Sequence, residues 1–257
     1  MIRREDRSDV AVLTMEHGKA QALDLELTRA LSVQLDSLEE DAGVRSVVLT
    51  GSGSIFSAGV DLFRVLDGGV SYVEEFLPLL ASTFGKLFAF PRPVIAAING
   101  HAIAGGCVMA CACDYRMMAR GPGTIGVPEL RVGVPFPLVA IEILRFAAST
   151  IHLQELLYLG STYTIDEAYD RGLVDQLVEP EELIDRACEA AKRLASEPTA
   201  RFEITKRQLR QPTLDRIEQL SHQTDSQVLA AWKDPRTHDL IRAFLEETLG
   251  KRAGAND

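Results

Sequence analysis

Two glycine-flanked turns follow predicted strands and offer backbone N–H groups to a ligand. The first turn spans residues 54–62 and the second spans residues 98–107, and each begins where a short apolar run ends. The second turn leads into a predicted small-residue helix, whose first N–H groups have no acceptor within the helix. A glycine such as Gly105 lets a ligand oxygen approach the backbone closely. Two N–H groups that converge from such turns would form an oxyanion hole, which stabilises negative charge on an oxygen atom.

Two other patterns suggest chemistry but lack a part that this chemistry needs. Residues 121–126 match the dinucleotide-binding pattern G-x-G-x-x-G, but Pro128 follows at once and prevents the long helix that must begin there. Ser57 lacks the first glycine of the G-x-S-x-G motif of serine hydrolases. We therefore expect neither a nicotinamide cofactor nor a nucleophilic serine.

The elements that must position the two turns alternate between strands and helices. Short apolar or β-branched runs predict strands at 10–15, 46–50, 94–98 and 115–119. Amphipathic or small-residue stretches predict helices at 24–40, 72–89 and 105–113. This alternation predicts an α/β fold with βαβ crossovers.

The pattern becomes helical after about residue 135. Helices are predicted over 138–147, 150–159, 165–171, 181–196, 199–210, 214–232 and 236–248. Thr164–Glu167 has the sequence of a capping box. Prolines stand where helices are expected to begin, at Pro180, Pro198, Pro212 and Pro235.

Composition and charge exclude several classes of function. The 257 residues include 37 Asp and Glu but only 27 Lys and Arg, and a net charge of −10 argues against a nucleic-acid groove. Residues 93–113 carry no charge, but Asn99 and Gly100 interrupt them, so we expect a buried strand and helix rather than a membrane span. Three of the four cysteines share this apolar stretch, which favours small buried thiols over a four-ligand zinc site. The N-terminus lacks the apolar core of a signal peptide, so we expect a cytoplasmic protein.

Several segments, in their order along the chain, together resemble the enoyl-CoA hydratase/isomerase (crotonase) superfamily over nearly the whole length. They are Gln21–Asp24, Val44–Gly51, Phe56–Asp61, Arg92–Gly100, Ala104–Cys107, Cys113–Arg116, Glu167–Ala168 and Gly172–Asp175.

The resemblance implies a crotonase-like α/β fold of repeated ββα units, with a core over residues 1–195. The helical region over 196–257 would then help to build a homotrimer or a dimer of trimers. The substrate would be an acyl-CoA thioester, and no metal or further cofactor is implied. The thioester oxygen would bind the N–H groups of Ala58 and Gly105. Other residues implied to contact the substrate or its CoA part are Lys19, Ala20, Ala22, Ser57, Gly59, Val60, Asp61, Gly106, Val108 and Phe136.

In this family, the number of catalytic glutamates distinguishes hydratases from isomerases. Its hydratases use two, and here Val108 stands at the first position while Glu129 occupies the second. Adding water needs one group that holds and deprotonates water and another that protonates carbon, and valine can do neither. Residues 133–138 also lack the Gly-Gly-Thr-Gln-Arg-Leu pattern usual in hydratases. The chain thus looks more similar to the mitochondrial-type Δ3,Δ2-enoyl-CoA isomerases, which work with one glutamate.

One carboxyl group suffices for an isomerase. The resemblance implies that Glu129 removes a proton from C2 and returns it at C4. Flanking Val108, Val127, Leu130 and Phe136 predict a partly desolvated carboxyl group with a raised pKa. Alternatives left open are hydration with an unusual acid, acyl-CoA decarboxylation, and a non-catalytic acyl-CoA-binding protein. Retention of Glu129 argues against the last of these.

Overall fold

Two sheets and the helices around them form the architecture. The computed structural model describes residues 1–196 and 199–254. Its strands are β1 (Ile2–Arg7), β2 (Val10–Met15), β3 (Ser46–Gly51), β4 (Ile55–Ser57), β5 (Val94–Ile98), β6 (His101–Ile103), β7 (Tyr115–Ala119), β8 (Thr124–Gly126), β9 (Thr162–Thr164) and β10 (Gln176–Val178). Its α-helices are α1 (Leu25–Glu40), α2 (Leu62–Ala89), α3 (Gly105–Ala112), α4 (Glu129–Val132), α5 (Leu138–Ala147), α6 (Thr150–Tyr158), α7 (Ile165–Asp170), α8 (Leu183–Leu194), α9 (Thr199–Lys233) and α10 (Pro235–Gly254).

The large sheet has the strand order β1-β2-β3-β5-β7-β10, and the small sheet has the order β4-β6-β8-β9. Apart from the antiparallel β1–β2 pair, every pairing in the large sheet is parallel. Every residue of β2, β3 and β5 is buried. Such uninterrupted burial is typical of parallel strands that are covered on both faces.

A ββα unit repeats three times along the chain. The units are β3-β4-α2, β5-β6-α3 and β7-β8-α4. In each, the first strand enters the large sheet and the second enters the small sheet. The loops between sheet and helix therefore collect at one edge, where the two glycine-flanked turns lie.

Alternate residues of the strands pack into two separate hydrophobic cores. Val10 and Val12 of β2 pack with Ala187 and Ala191 of α8 on the outer face of the large sheet. Ala11 and the other inward-facing strand residues join the main core beneath α1, α2, α3 and α5. The period of two along each strand fixes which side chains face which helix layer.

Most predicted elements are present, with several differences. Helix α2 begins at Leu62 rather than at residue 72, and Gly69 breaks its regular geometry with φ of +58°. The edge strand β1 was not predicted, since its charged sequence resembles no buried strand. The Thr164–Glu167 capping box is confirmed.

Helix α9 runs through Pro212, where we expected a new helix to begin. Proline removes one N–H and leaves the carbonyl of Gln208 without its helical partner. Both residues are exposed, so water can satisfy that carbonyl. Buried side chains on either side, such as Arg210 and Trp232, hold the two halves of the helix against one core. Pro198, another expected helix start, lies outside the described residues.

No helix in residues 1–196 or 199–254 is both long and apolar enough to cross a membrane. The uncharged stretch at 93–113 is β5, β6 and the short helix α3.

Helix α9 attaches to the core through a buried arginine. The Arg210 guanidinium donates to the carbonyl of Phe88 in the last turn of α2, and to those of Ala112 (3.0 Å) and Cys113 (3.1 Å) at the end of α3. It also lies 2.9 Å from a carboxylate oxygen of Asp114. A cation at a helix C-terminus satisfies carbonyl groups that have no partner within the helix.

The same carboxylate binds a second cation of α9. The Lys206 Nζ lies 2.7 Å from Asp114 Oδ2 and donates to the carbonyl of Arg92 at 3.1 Å. Burial lowers the pKa of Lys206 to about 8, against the opposing pull of the nearby Asp114 carboxylate. Asp114 in turn accepts the N–H of Val94 at 2.8 Å, which fixes the start of β5.

We expect Arg210→Ala to lower the free energy of unfolding by about 3 kcal/mol or more. The substitution leaves the Asp114 carboxylate with one cation fewer and removes the hydrogen-bond donor from carbonyl groups at two helix ends. Arg207→Ala, three residues away on the exposed side of α9, should cost less than about 1 kcal/mol. Urea denaturation of both variants measures the difference, and equal losses would contradict this role of Arg210.

Candidate active site

An apolar cavity lies where the loops after the strands meet α2, α4, α5 and the C-terminal helices. The cavity and its opening to solvent together have a volume of about 690 Å³. Among the described residues that line it, Glu129 has the only titratable side chain. The others are Ala58, Val60, Leu62, Leu77, Leu80, Phe84, Ile103, Ala104, Gly105, Val108, Pro128, Val132, Val134, Pro135, Phe136, Pro137, Ala140, Trp232 and Phe244.

The first turn is held by an isolated parallel β-bridge between Leu23 and Val60. Leu23 donates its N–H to the Gly59 carbonyl at 2.7 Å, and the N–H of Asp61 donates to the Leu23 carbonyl at 2.9 Å. Neighbouring residues of an extended strand direct their N–H groups to opposite sides. The N–H of Val60 therefore points away from Leu23, and no described residue accepts it.

The predicted role of the Ala58 N–H is wrong. That group donates to the carbonyl of Ala20 at 3.0 Å and is committed to the fold. Gly59, with φ of +81°, interrupts the strand alternation between Ala58 and Val60. The free donor of this turn is thus two residues further on, at Val60.

The second donor comes from the start of α3. Ala104 accepts the N–H groups of Cys107 and Val108, so the N–H of Gly105 lies in the first turn, and no described residue accepts it. Ala104 itself has φ of +54° and ψ of −125°. Such a backbone is strained for a residue with a Cβ, and strain of this kind collects at functional sites.

The two donor loops pack closely where Gly59 faces residues 103–105. A Cβ placed on Gly59 would lie 2.6 Å from the carbonyl oxygen of Ile103 and 3.0 Å from the nitrogen of Gly105. Any other residue at 59 would therefore push the loops apart, besides opposing the positive φ. This contact brings the free N–H groups of Val60 and Gly105 to one wall of the cavity.

Glu129 is the acid at this wall. It begins the single turn of α4, and its Oε2 is buried without a hydrogen-bond partner among the described residues. Burial raises the pKa of Glu129 to about 8, with only its own backbone N–H acting in the opposite direction. The predicted upward direction of this pKa is confirmed.

The apolar neighbours predicted for Glu129 are mostly in place. Val108 and Phe136 line the same cavity, and Val127 is fully buried. Leu130 does not flank the site as we expected, because its side chain is 46% exposed. In a helix of four residues, side chains at neighbouring positions point in different directions.

Residues 19–23 include Lys19, Ala20 and Ala22, which we expected to contact the substrate or its CoA part. This segment pairs with the first turn through the Ala20–Ala58 and Leu23–Gly59 hydrogen bonds. Lys19 is exposed there, and Ala20 and Ala22 are partly exposed. These positions fit a contact with a ligand, which stays a prediction.

Three other predicted contact residues support the loops instead. Ser57 is fully buried, donates its hydroxyl to the Gln21 carbonyl at 2.8 Å and accepts the N–H of Gly59. Gly106 is buried against Ser57, whose carbonyl oxygen would lie 2.4 Å from an added Cβ. The Asp61 carboxylate caps the start of α2 by accepting two backbone N–H groups.

Sequence reasoning missed much of the cavity wall. Leu77, Leu80 and Phe84 come from one face of α2, while Trp232 and Phe244 come from α9 and α10. The Trp232 indole N–H donates to the carbonyl of Pro135 at 2.9 Å, which fixes the ring beside the loop after α4. The spacing of 77, 80 and 84 indicated a buried helix face, but nothing in the sequence distinguished cavity from core.

The glycine pattern at 121–126 and the cysteines, from which we expected no chemistry, have structural roles. Residues 124–126 form strand β8, and only the four-residue helix α4 follows. The four cysteines are buried and free. Across residues 1–196 and 199–254, no group of three or more His, Cys, Asp or Glu side chains could hold a metal ion.

Known proteins similar to this chain include some named as isomerases and others named as hydratases. Over 219 residues, covering 84% of this chain and 76% of the relative, it is 28% identical to the mitochondrial enoyl-CoA delta isomerase 1 of Mus musculus. It is 37% identical over 193 residues to a probable enoyl-CoA hydratase of Bacillus subtilis, covering 72% of each chain.

A solved structure gives a close match of fold. The human mitochondrial Δ3-Δ2-enoyl-CoA isomerase superposes with a TM-score of 0.92 at 26% identity, covering 97% of this chain and 98% of that one. The predicted crotonase-like α/β fold is therefore confirmed. The family model described as enoyl-CoA hydratase/isomerase matches residues 5–249. The chain belongs to the enoyl-CoA hydratase/isomerase family.

Proposed function

We propose that this protein converts 3-enoyl-CoA thioesters to the conjugated 2-enoyl-CoA thioesters. The observation that carries the proposal is the pairing of two free backbone N–H groups with a single buried carboxyl group in an otherwise apolar cavity. This is the minimum that a proton shift next to a thioester requires.

The thioester oxygen would accept the N–H groups of Val60 and Gly105. The Glu129 carboxylate removes a proton from C2, and the negative charge of the resulting dienolate moves onto the bound oxygen. Each such donor contributes about 3–4 kcal/mol to the stability of a charged transition state. The same carboxyl group then returns the proton at C4, so no atom is gained or lost and no redox cofactor is needed.

The environment of Glu129 matches this task. A carboxylate that is poorly solvated and has no cation beside it is a stronger base than one in water. Its pKa of about 8 lets the group take up and release a proton near neutral pH. The apolar walls keep water away from the dienolate.

Hydration is the second candidate, because relatives such as the Bacillus subtilis protein bear the name of a probable hydratase. Val108 is 1% exposed, lines the cavity, and offers no hydrogen bond to water. Incubation with 3-enoyl-, 2-enoyl- and malonyl-type CoA thioesters distinguishes isomerisation, hydration, decarboxylation and binding without turnover. Turnover of the 2-enoyl or malonyl-type compound alone would reject the proposal.

The remaining features of the proposal follow from the family resemblance. An acyl-CoA thioester is the expected ligand, without a metal or a separate cofactor. A homotrimer or dimer of trimers and a cytoplasmic location stay predictions.

We expect Glu129→Gln to reduce isomerisation at least a hundredfold while the protein still binds CoA thioesters. The amide has nearly the same shape but cannot take up the C2 proton. Glu182→Gln, at an exposed position, is the matched control. Steady-state kinetics and calorimetric binding are the measurements, and activity within a few-fold of the parent would exclude Glu129 as the base.

The raised pKa predicts how activity depends on pH. The active base is the carboxylate, so kcat/KM should rise about tenfold per pH unit below pH 8 and level off above it. A profile that is flat from pH 6 to 9 would contradict a base with this pKa.

Stability should depend on pH in the opposite direction. Because the folded-state pKa of Glu129 lies above its ordinary value of 4.5, its contribution to stability is full below pH 4.5 and is lost as pH rises through about 8. A shift of this size corresponds to about 5 kcal/mol. Glu129→Gln should therefore match the parent near pH 5 and be several kcal/mol more stable at pH 9. Urea denaturation at both pH values tests this, and an equal difference at both would refute it.

Val108→Glu should introduce weak hydration of 2-enoyl-CoA, which the parent should catalyse poorly. Residue 108 lies about one turn after Gly105, so its side chain faces the region beside the oxyanion donors. The gain should be small, because two close carboxyl groups raise each other's pKa. Val108→Gln is the control that adds polarity without an acid. Parent hydration as fast as parent isomerisation would reverse the order of the two candidate functions.

A further inference from the structure

A second apolar cavity lies directly behind the apolar cavity around Glu129, here called the acyl cavity because of its proposed ligand. It lies between α2 and α9. The second cavity and its opening to solvent together have a volume of about 760 Å³. The lining residues are Leu77, Pro78, Ala81, Pro137, Asp225, Ser226, Val228 and Leu229. The two cavities share Leu77 and Pro137 as lining residues. These two side chains therefore form the partition between them.

The positions along α2 explain the partition. Leu77, Leu80 and Phe84 line the acyl cavity at spacings of three and four residues, which place them on one helix face. Leu77, Pro78 and Ala81 line the second cavity and lie on a face turned to the side. Leu77 is the residue at the border of both faces, and it is only 5% exposed.

Helix α9 also contributes residues to both cavities. Trp232 lines the acyl cavity, and Val228, one helical turn earlier, lines the second cavity. Trp232 is fixed through its N–H to the Pro135 carbonyl, and Leu138 at the start of α5 donates its N–H to an Asp225 oxygen at 2.8 Å. The wall opposite Leu77 is thus rigidly attached, while the Leu77 side chain is held only by packing.

We propose that Leu77 sets the upper length of the acyl chain this protein accepts, by closing the acyl cavity against the second one. The inference rests on the proposed binding of acyl-CoA thioesters. The ligand is an apolar acyl chain, since the shared residues Leu77 and Pro137 and most other lining side chains are apolar. The polar exceptions in the second cavity are Asp225, which accepts the N–H of Leu138, and Ser226. The second cavity reaches the surface beside the exposed Pro78 and Ser226, so a chain that passed Leu77 would have room to continue.

The test measures dissociation constants of saturated acyl-CoAs with four to sixteen carbons, which bind without turnover. Burying each added methylene favours binding about fourfold, which corresponds to about 0.8 kcal/mol, as long as the cavity has room. In the parent protein this gain should stop at a defined chain length. In Leu77→Ala the gain should continue for several more carbons.

Leu80→Ala is the matched control. It removes the same atoms from the same helix at a similarly buried position, but Leu80 lines the acyl cavity alone. It should move the limit by no more than one or two carbons. Ala81→Phe, which fills the second cavity, should leave the parent limit unchanged and should cancel the extension when combined with Leu77→Ala.

The outcomes separate this inference from the proposed function. Binding of acyl-CoAs with the same limit in Leu77→Ala as in the parent, or an equal extension in Leu80→Ala, would overturn the role of Leu77 alone. Failure of the parent to bind any acyl-CoA would reject the proposed function as well. If Leu77→Ala does not fold, Leu77→Val gives the same comparison with a smaller opening, and an unchanged limit there would also count against the proposal.

Discussion

The contact between the backbones of Gly59 and Gly105 is the constraint on which the site depends. Two loops from different ββα units can approach this closely only because Gly59 has no side chain, since a Cβ there would lie 2.6 Å from the Cβ of Ala104 and 3.0 Å from the nitrogen of Gly105. In this arrangement the N–H groups of Val60 and Gly105 lie on one wall of an apolar cavity and have no acceptor among the described residues. Strain at Ala104 is the local cost of this arrangement, and the surrounding strand and helix hold it in place.

Charge is buried in two different ways around helix α3. Near its N-terminus, Glu129 has a buried carboxyl oxygen and no cation beside it, and burial raises the pKa of this group to about 8. At its C-terminus, the carboxylate of Asp114 is paired with both Arg210 and Lys206, and all three side chains are largely buried. The paired cluster attaches helices to one another, whereas the unpaired acid remains available to exchange a proton.

The C-terminal helices belong to the site as well as to the fold. Val228, Trp232 and Ile241 are buried in the same core as the strands and α2. Trp232 and Phe244 complete the wall of the apolar cavity around Glu129, and α9 forms the far side of the cavity behind it. A division of the chain near residue 195 therefore describes its sequence pattern, while the cavity is built from both sides of that division.

Local sequence was sufficient for the elements whose patterns are strong. The buried runs at 46–50 and 94–98, the amphipathic helix after Asp24 and the Thr164–Glu167 capping box all depend on neighbours along the chain. The family motifs likewise predicted Gly105, Val108 and Glu129 as site residues, and the structure brings all three to one cavity. Short strands such as β4 and β8 were missed, because three residues carry too little pattern to distinguish a strand from a loop.

Tertiary structure decided what depends on contacts between distant segments. The donor of the first turn is Val60 rather than Ala58, since the Ala20 carbonyl, 38 positions earlier, already accepts the Ala58 N–H. Pro212 lies inside a helix because buried side chains before and after it outweigh one lost hydrogen bond. The sequence alone determined which residues could act as acid and as close backbone contacts. Only the packing of loops and helices determined which N–H groups are free and where the cavity ends, because both depend on the atoms that distant segments bring to the same place.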